Sequence, residues 1–194
     1  MPAIQILVSH FSTNTYLVSQ GNSTIVIDPS GDAAEIYRRA TSDGKKLSAI
    51  LLTHGHFDHI DALESLVHLS HAPVYVSVSD QPMLADPYLN ASWLVGEQVS
   101  AKIASTHPLS GGEVLAFGEL IFQVYATPGH TEGCLCFLCE DALFSGDTVF
   151  ADGYGRVDLP GARPEFYRAS LASIKDLIRT KNLYPGHGRI IIKE

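Results

Sequence analysis

No stretch of this 194-residue chain approaches the ~20 consecutive apolar residues that a helical bilayer span needs, so no membrane partner is expected. Basic residues are also scarce: 13 lysines and arginines stand against 21 acidic residues, a net charge of −8. Nucleic-acid binding relies on a basic surface that displaces counterions, so no nucleic-acid partner is expected either. The first residues, Met1 to Val8, carry no basic leader and no cleavage pattern. They read as a strand, and a cytoplasmic location is expected. Ser/Gly linkers, repeats and low-complexity tracts are missing too, which points to one domain over residues 1–194. There are only three cysteines, Cys134, Cys136 and Cys139, within one apolar run. Without a fourth ligand and a turn they make a poor zinc knuckle, and they read as buried free thiols.

What is present is a globular composition, 45% hydrophobic and 18% charged, in alternating strand-like and helix-like segments. Ile4–Val8, Thr15–Ser19 and Ser23–Asp28 read as a β-meander, turned between the last two by Gln20-Gly21-Asn22. Ala33, Ile36, Tyr37 and Ala40 form a helical stripe after Asp28-Pro29-Ser30-Gly31-Asp32, which ends the sheet and caps the helix. Leu47–Thr53 is a continuous apolar run, as for a strand buried on both faces. A helix through Ala62, Leu63, Leu66 and Leu69 and a strand at Pro73–Val78 follow. Short helices and a loop are expected over Asp80 to Ser105, which Pro82 and Pro87 interrupt. Strands return at Glu113–Phe117, Glu119–Ala126, Cys134–Cys139 and Ala142–Ser145. A long helix is expected from Pro164 to about Thr180, and a short final strand at Arg189–Lys193. Strands then helices in each of two halves suggest two packed sheets with helices outside.

The chemistry concentrates in Thr53-His54-Gly55-His56-Phe57-Asp58-His59. His54 and His56, two apart at a strand end, project to one side, and the turn into the next helix brings Asp58 and His59 from another. Imidazole with carboxylate suits zinc, iron or manganese. Three further candidates each follow a strand and a glycine: His130, Asp147 and His187. The glycines are expected to supply tight turns. His10, His68, His71 and His107 fit no ligand position and read as surface or packing residues.

This pattern resembles the metallo-β-lactamase superfamily, and within it the hydroxyacylglutathione hydrolase (glyoxalase II) type, over nearly the whole chain from Ile27-Asp28-Pro29 to the terminal Pro-Gly-His-Gly. The resemblance implies an α/β fold, the four-layer αβ/βα sandwich, without the C-terminal helical domain of full-length glyoxalase II. It implies two divalent metal ions, zinc by first expectation with iron or manganese as alternatives. His54, His56 and His130 would hold one, Asp58, His59 and His187 the other, and Asp147 would bridge them. Asp28 matches an aspartate that supports the histidine loop from behind the ligands. A hydroxide shared by the metals would attack a thioester carbonyl, with Asp58 as a catalytic proton carrier.

Substrate contacts are expected from Tyr154 and Arg156, in the stretch Gly-Tyr-Gly-Arg-Val-Asp-Leu-Pro-Gly. There Asp158 stands where the glyoxalase II type has a tyrosine, so Arg156 either meets a substrate carboxylate or pairs with Asp158. The partner expected is a small-molecule thioester, acted on by a monomer or small homo-oligomer. The alternatives are a single-iron persulfide dioxygenase, whose terminal motif has alanine where this chain has Gly186, and a hydrolase of another small ester or lactone.

Overall fold

The computed structural model describes residues 1–193. Three antiparallel strands open it, β1 (Ala3–Val8), β2 (Asn14–Gln20) and β3 (Ser23–Ile27), which is the expected meander. Helix α1 (Ala33–Ala40) leads to β4 (Lys46–Leu51), parallel to β3. Two short helices follow, α2 (Phe57–Ile60) and α3 (Leu63–Ser70), then β5 (Val74–Ser77). A strand that the sequence pattern did not suggest, β6 (His107–Leu109), completes a six-stranded sheet in sequential order. It lies parallel to β5, where the His107 ring stacks on Tyr75.

The second sheet has five strands. Its order is β11-β10-β9-β8-β7, from β7 (Val114–Phe117), β8 (Leu120–Ala126), β9 (Leu135–Cys139), β10 (Ala142–Gly146) and β11 (Asn182–Pro185). Helices α4 (Pro164–Ser173) and α5 (Lys175–Thr180) lie between β10 and β11 in the chain.

Alternation along each strand sorts the core into three layers of contact. Val26, Ile50 and Leu52 face α1 and α3, meeting Ile36, Leu63 and Leu66. Ile25, Ile27, Ala49 and Leu51 face the other way, against Phe122, Leu135, Phe137 and Phe144 of the second sheet. Behind that sheet Cys136, Leu138 and Leu143 meet Ile174, Leu171 and Ile178. Helix, sheet, sheet, helix: this is the expected αβ/βα sandwich. The cysteines divide as the alternation requires, Cys139 between the sheets and Cys136 behind them, all three free and buried.

Two expectations need correction. The long helix breaks at Ile174 (φ −107°, ψ 11°), whose side chain is fully buried. The break lets Leu171 before it and Leu177 and Ile178 after it face the same core. The closing strand is Asn182–Pro185 rather than Arg189–Lys193, which contributes only a bridge between Leu183 and Ile191. Leu183 uses its N–H and C=O on Ile191, whereas the N–H of Lys193 is taken by the Asn182 side chain. Among the described residues, no helix is long and apolar enough to cross a membrane.

Phe137 is fully buried between the sheets. Phe137→Ala should cost about 3–5 kcal/mol, read as a lower urea midpoint at unchanged slope. A loss below about 1 kcal/mol would mean that the sheets do not pack through this residue.

Candidate metal centre

All seven candidate donors collect at one edge of the sandwich, because each follows the C-terminal end of a strand. β4 delivers the segment from His54 to His59, β8 the His130 loop, β10 Asp147 and β11 His187. His56 is the residue before α2, so Asp58 and His59 are carried round by the first helical turn. Three triads have donor atoms mutually within 4.8 Å: His54, His56 and His130; His54, His59 and Asp147; Asp58, His59 and His187.

Asp147 lies between the outer groups. Its Oδ1 is 3.4 Å from His59 Nε2, and its Oδ2 is 3.5 Å from His130 Nε2 and 3.6 Å from His187 Nε2. Asp58 Oδ2 is 3.1 Å from His187 Nε2 and accepts the Thr13 hydroxyl at 2.9 Å.

The hydrogen bonds behind the rings fix which nitrogen each turns inward. His130 Nδ1 donates to the Arg156 carbonyl at 2.6 Å, and His187 Nδ1 to the Ser12 carbonyl at 3.0 Å. A carbonyl only accepts, so both rings carry the proton on Nδ1 and leave Nε2 with a lone pair. His59 Nδ1 donates to Asp28 Oδ2 at 3.0 Å, with the same result. Thr53 Oγ1 gives its hydrogen to Asp28 Oδ2 at 2.6 Å and so accepts from His54 Nδ1 at 3.1 Å. His56 is turned the other way, its Nδ1 meeting His130 Nε2 at 2.9 Å. That spacing is near the ~3.3 Å separating two nitrogens bound at 2.0–2.1 Å on one tetrahedral ion.

His54 Nε2, His59 Nε2 and Asp147 Oδ1 are buried and have no hydrogen-bond partner in the protein. Buried polar atoms are rarely left so, and a cation at their convergence would satisfy them. The electrostatics agree. Burial with the neighbouring histidines holds His54 well below its ordinary pKa and His56 at about 3, so both keep neutral lone pairs. Burial pushes the Asp147 carboxyl up, but His59, His130 and His187 outweigh it and bring it down to about 2. The donor set therefore fits divalent zinc, iron or manganese.

Two buried carboxylates hold the loops. Asp28, as the sequence suggested, accepts from Thr53 N at 2.7 Å besides Thr53 Oγ1 and His59. Its backbone sits in the left-handed region (φ +52°), which aspartate tolerates better than most residues. Asp80 was missed. Its Oδ2 accepts Gly55 N at 3.0 Å and the Thr131 hydroxyl at 2.7 Å, and its Oδ1 accepts Gly133 N at 2.9 Å. It thus ties the His54–His56 loop to the His130 loop. The available signal was its position just after β5, beside the strand ends that carry the other donors. Thr13 was missed too, lying in a segment with no motif of its own.

The glycines before the donors are there mainly for room. Only Gly146 has a positive φ (+48°). A Cβ at Gly129 would strike the Tyr167 ring, one at Gly146 the Thr53 hydroxyl, and one at Gly186 the Asp147 carboxylate oxygen and, at 2.8 Å, His59 Cε1.

A cavity of about 520 Å³ opens over the cluster, lined by His56, Asp58, His130, Asp147, His187 and Arg156 among others. Arg156 closes on Asp158 through two bonds, Nε to Oδ1 at 2.6 Å and Nη2 to Oδ2 at 2.8 Å. Tyr154 lies outside this cavity, lining a neighbouring groove with Asp152 and Arg189, so the two expected substrate contacts are not brought together. A larger depression, about 750 Å³ beside α1 and α3, contains none of the candidate donors. His10, His68, His71 and His107 are all exposed, and none belongs to the three donor triads.

The profile of the metallo-beta-lactamase superfamily matches residues 8–187. The chain is similar to the probable metallo-hydrolase YqgX of Bacillus subtilis, 35% identical over 84% of this chain and 79% of that one. It is 33% identical to the probable polyketide biosynthesis zinc-dependent hydrolase BaeB of Bacillus velezensis, over 91% and 73%. A hydroxyacylglutathione hydrolase of Tolumonas auensis is 30% identical over 96% of this chain and 66% of that protein. Among solved structures, BLEG-1 B3 metallo-beta-lactamase is 30% identical, with a TM-score of 0.89 over 97% of this chain and 93% of that one. TTHA1623 in a di-iron-bound form is 33% identical, with a TM-score of 0.83 over 98% and 93%.

Two substitutions probe the cluster without removing a donor. Gly186→Ala should displace the Asp147 carboxylate and lower the metal content per chain, by elemental analysis, relative to the unsubstituted protein. Unchanged content in a folded variant would contradict this. Asp28→Asn keeps the left-handed backbone but loses the charge that orients His59 and Thr53. Metal affinity should fall about 10–100-fold in a chelator competition, and equal affinity would remove Asp28 from the account.

Proposed function

This chain belongs to the metallo-beta-lactamase superfamily of metal-dependent hydrolases, and on that basis we propose that it cleaves a small-molecule thioester at a two-metal centre. The observation that carries the reading is Asp147, whose one carboxylate reaches donors of both groups, Oδ1 facing His59 and Oδ2 facing His130 and His187. His54, His56 and His130 would hold one ion and Asp58, His59 and His187 the other, with Asp147 shared. Bound there, the ions would lower the pKa of water to near neutrality and polarise the carbonyl under attack. Gly186 leaves the Asp147 carboxylate and His59 the space that an alanine side chain would take. The similarity to a zinc-dependent hydrolase and to a di-iron protein leaves both metals as candidates.

The chain's own groups then bind, orient and move protons. Asp58 stands at the cavity floor, its carboxylate set by the Thr13 hydroxyl and His187. From there it can take a proton from water and pass it towards the leaving sulfur, which as a thiolate needs little help. A thioester is favoured over other acyl bonds by the similarity to a hydroxyacylglutathione hydrolase. A β-lactam is the second reading, favoured by the similarity to BLEG-1.

The purified, metal-counted protein should hydrolyse acyl thioesters, lose that activity to a chelator and regain it with zinc or iron. Assays with a cephalosporin, and of oxygen uptake with glutathione persulfide, should stay at background. Cephalosporin turnover without thioester cleavage would move the assignment to lactams, and one iron with oxygen uptake would overturn it. Asp58→Asn at full metal occupancy should lower kcat about 10²-fold or more. Undiminished turnover would end the proton-carrier role.

A further inference from the structure

Much of the cavity above the cluster is apolar. Its upper walls are Phe11, Phe57, Leu94, Val95, Phe150 and Leu159, while the polar groups are gathered on the floor. A pocket of this kind binds by apolar burial and uses its few polar groups to orient the reacting atoms.

The charges narrow the ligand further. Arg156 is the only lysine or arginine on the lining, and both faces of its fork that meet Asp158 are already occupied. Asp58 and Asp147, the remaining charged side chains apart from the histidines, are carboxylates. Away from the candidate metal cluster, a ligand carrying several free carboxylates therefore meets no lysine or arginine on this lining other than the one closed on Asp158. An uncharged hydrocarbon chain meets a wall built for it.

The wall is held in place from below. Leu94 and Val95 lie on the tight turn Ser92–Val95 and are 45% and 48% exposed, an apolar lip left facing the solvent. Its base is buried: the Asn90 side-chain amide donates to the Met83 and Val99 carbonyls, and the Asn90 carbonyl accepts Phe57 N at 3.0 Å. Phe57 directly follows His56, so the lip is fixed to the segment that carries the candidate donors. Trp93, on the same turn, stacks against Tyr88.

We propose that this cavity seats an apolar acyl chain, and that the substrates are thioesters of such acids rather than polar hydroxyacyl conjugates of glutathione. This rests on the thioester reading above and adds the side of the bond on which recognition falls. The reaction is redox-neutral. The water oxygen bonds to the carbonyl carbon, the carbon–sulfur bond breaks with its electron pair going to sulfur, and the products are a carboxylate, a thiol and a released proton.

The test uses N-acetylcysteamine thioesters of acetate, butyrate, hexanoate and octanoate with the metal-loaded protein. Each buried methylene should raise kcat/KM about threefold to fourfold, and lactoylglutathione should be turned over more slowly than the octanoyl ester. Leu94→Asp should collapse the octanoyl-to-acetyl ratio at least tenfold. A flat series, or lactoylglutathione as the better substrate, overturns the proposal and leaves the thioester reading standing.

A binding arm separates the two. The chain has one tryptophan, so Trp93 emission reports directly on the lip. Non-hydrolysable S-alkyl-N-acetylcysteamine thioethers should shift that emission with a Kd that falls about threefold to fourfold per methylene. Such binding without any thioester turnover would support the apolar seat and sink the thioester reading. Neither turnover nor chain-length-dependent binding would overturn both.

Discussion

The carboxylate of Asp28 is the constraint from which the rest of the centre follows. Almost fully buried, it accepts from the Thr53 amide, the Thr53 hydroxyl and the His59 ring. A buried charge is costly unless such bonds replace its water, and here the replacement also sets geometry. By taking the Thr53 hydrogen it turns that hydroxyl into an acceptor for His54. One aspartate therefore fixes the tautomer of two imidazoles that belong to different halves of the cluster. Asp80 does the matching work on the other side, where it joins the Gly55 amide to the Thr131 hydroxyl and the Gly133 amide. Neither carboxylate needs to touch a metal for the donors to converge.

The sandwich makes this economical. β3 and β4 run parallel in one sheet, β10 and β11 in the other, and the donors follow the C-terminal ends of β4, β8, β10 and β11 at a single edge. The inward-facing rows of Ile25, Ile27, Leu51, Phe137 and Phe144 set how far apart those ends stand. Close approach is then secured by missing side chains at Gly129 and Gly186, and at Gly146 by a missing side chain together with a left-handed backbone. The cavity over the cluster inherits its polar floor from the strand ends and its apolar wall from the loops between them.

Much of this was legible in the sequence, for identifiable reasons. Period-two alternation and the meander turns located most strands, and the spacing of His54, His56, Asp58 and His59 marked the chemistry. The resemblance carried His130, Asp147 and His187, which no local pattern could have joined to residues about a hundred positions away. What stayed hidden depended on contacts between distant segments. Asp80 and Thr13 sit in no motif, β6 exists only because β5 offers it an edge, and the break at Ile174 follows from a core that the helix alone does not reveal. The glycines were visible, but only part of their purpose was: the positive φ of a glycine turn is found at Gly146, while Gly129 and Gly186 answer a need for room. Arg156 shows the same limit, since only the fold closes it on Asp158.

The account turns on Asp147 being shared by two ions. Anomalous diffraction at the absorption edge of the bound metal tests that directly. Two peaks about 3.5–4 Å apart, one on each side of the Asp147 carboxylate, are the expected result. A single peak against His54, His56 and His130, with His59 and His187 free of metal at saturating concentration, would contradict it.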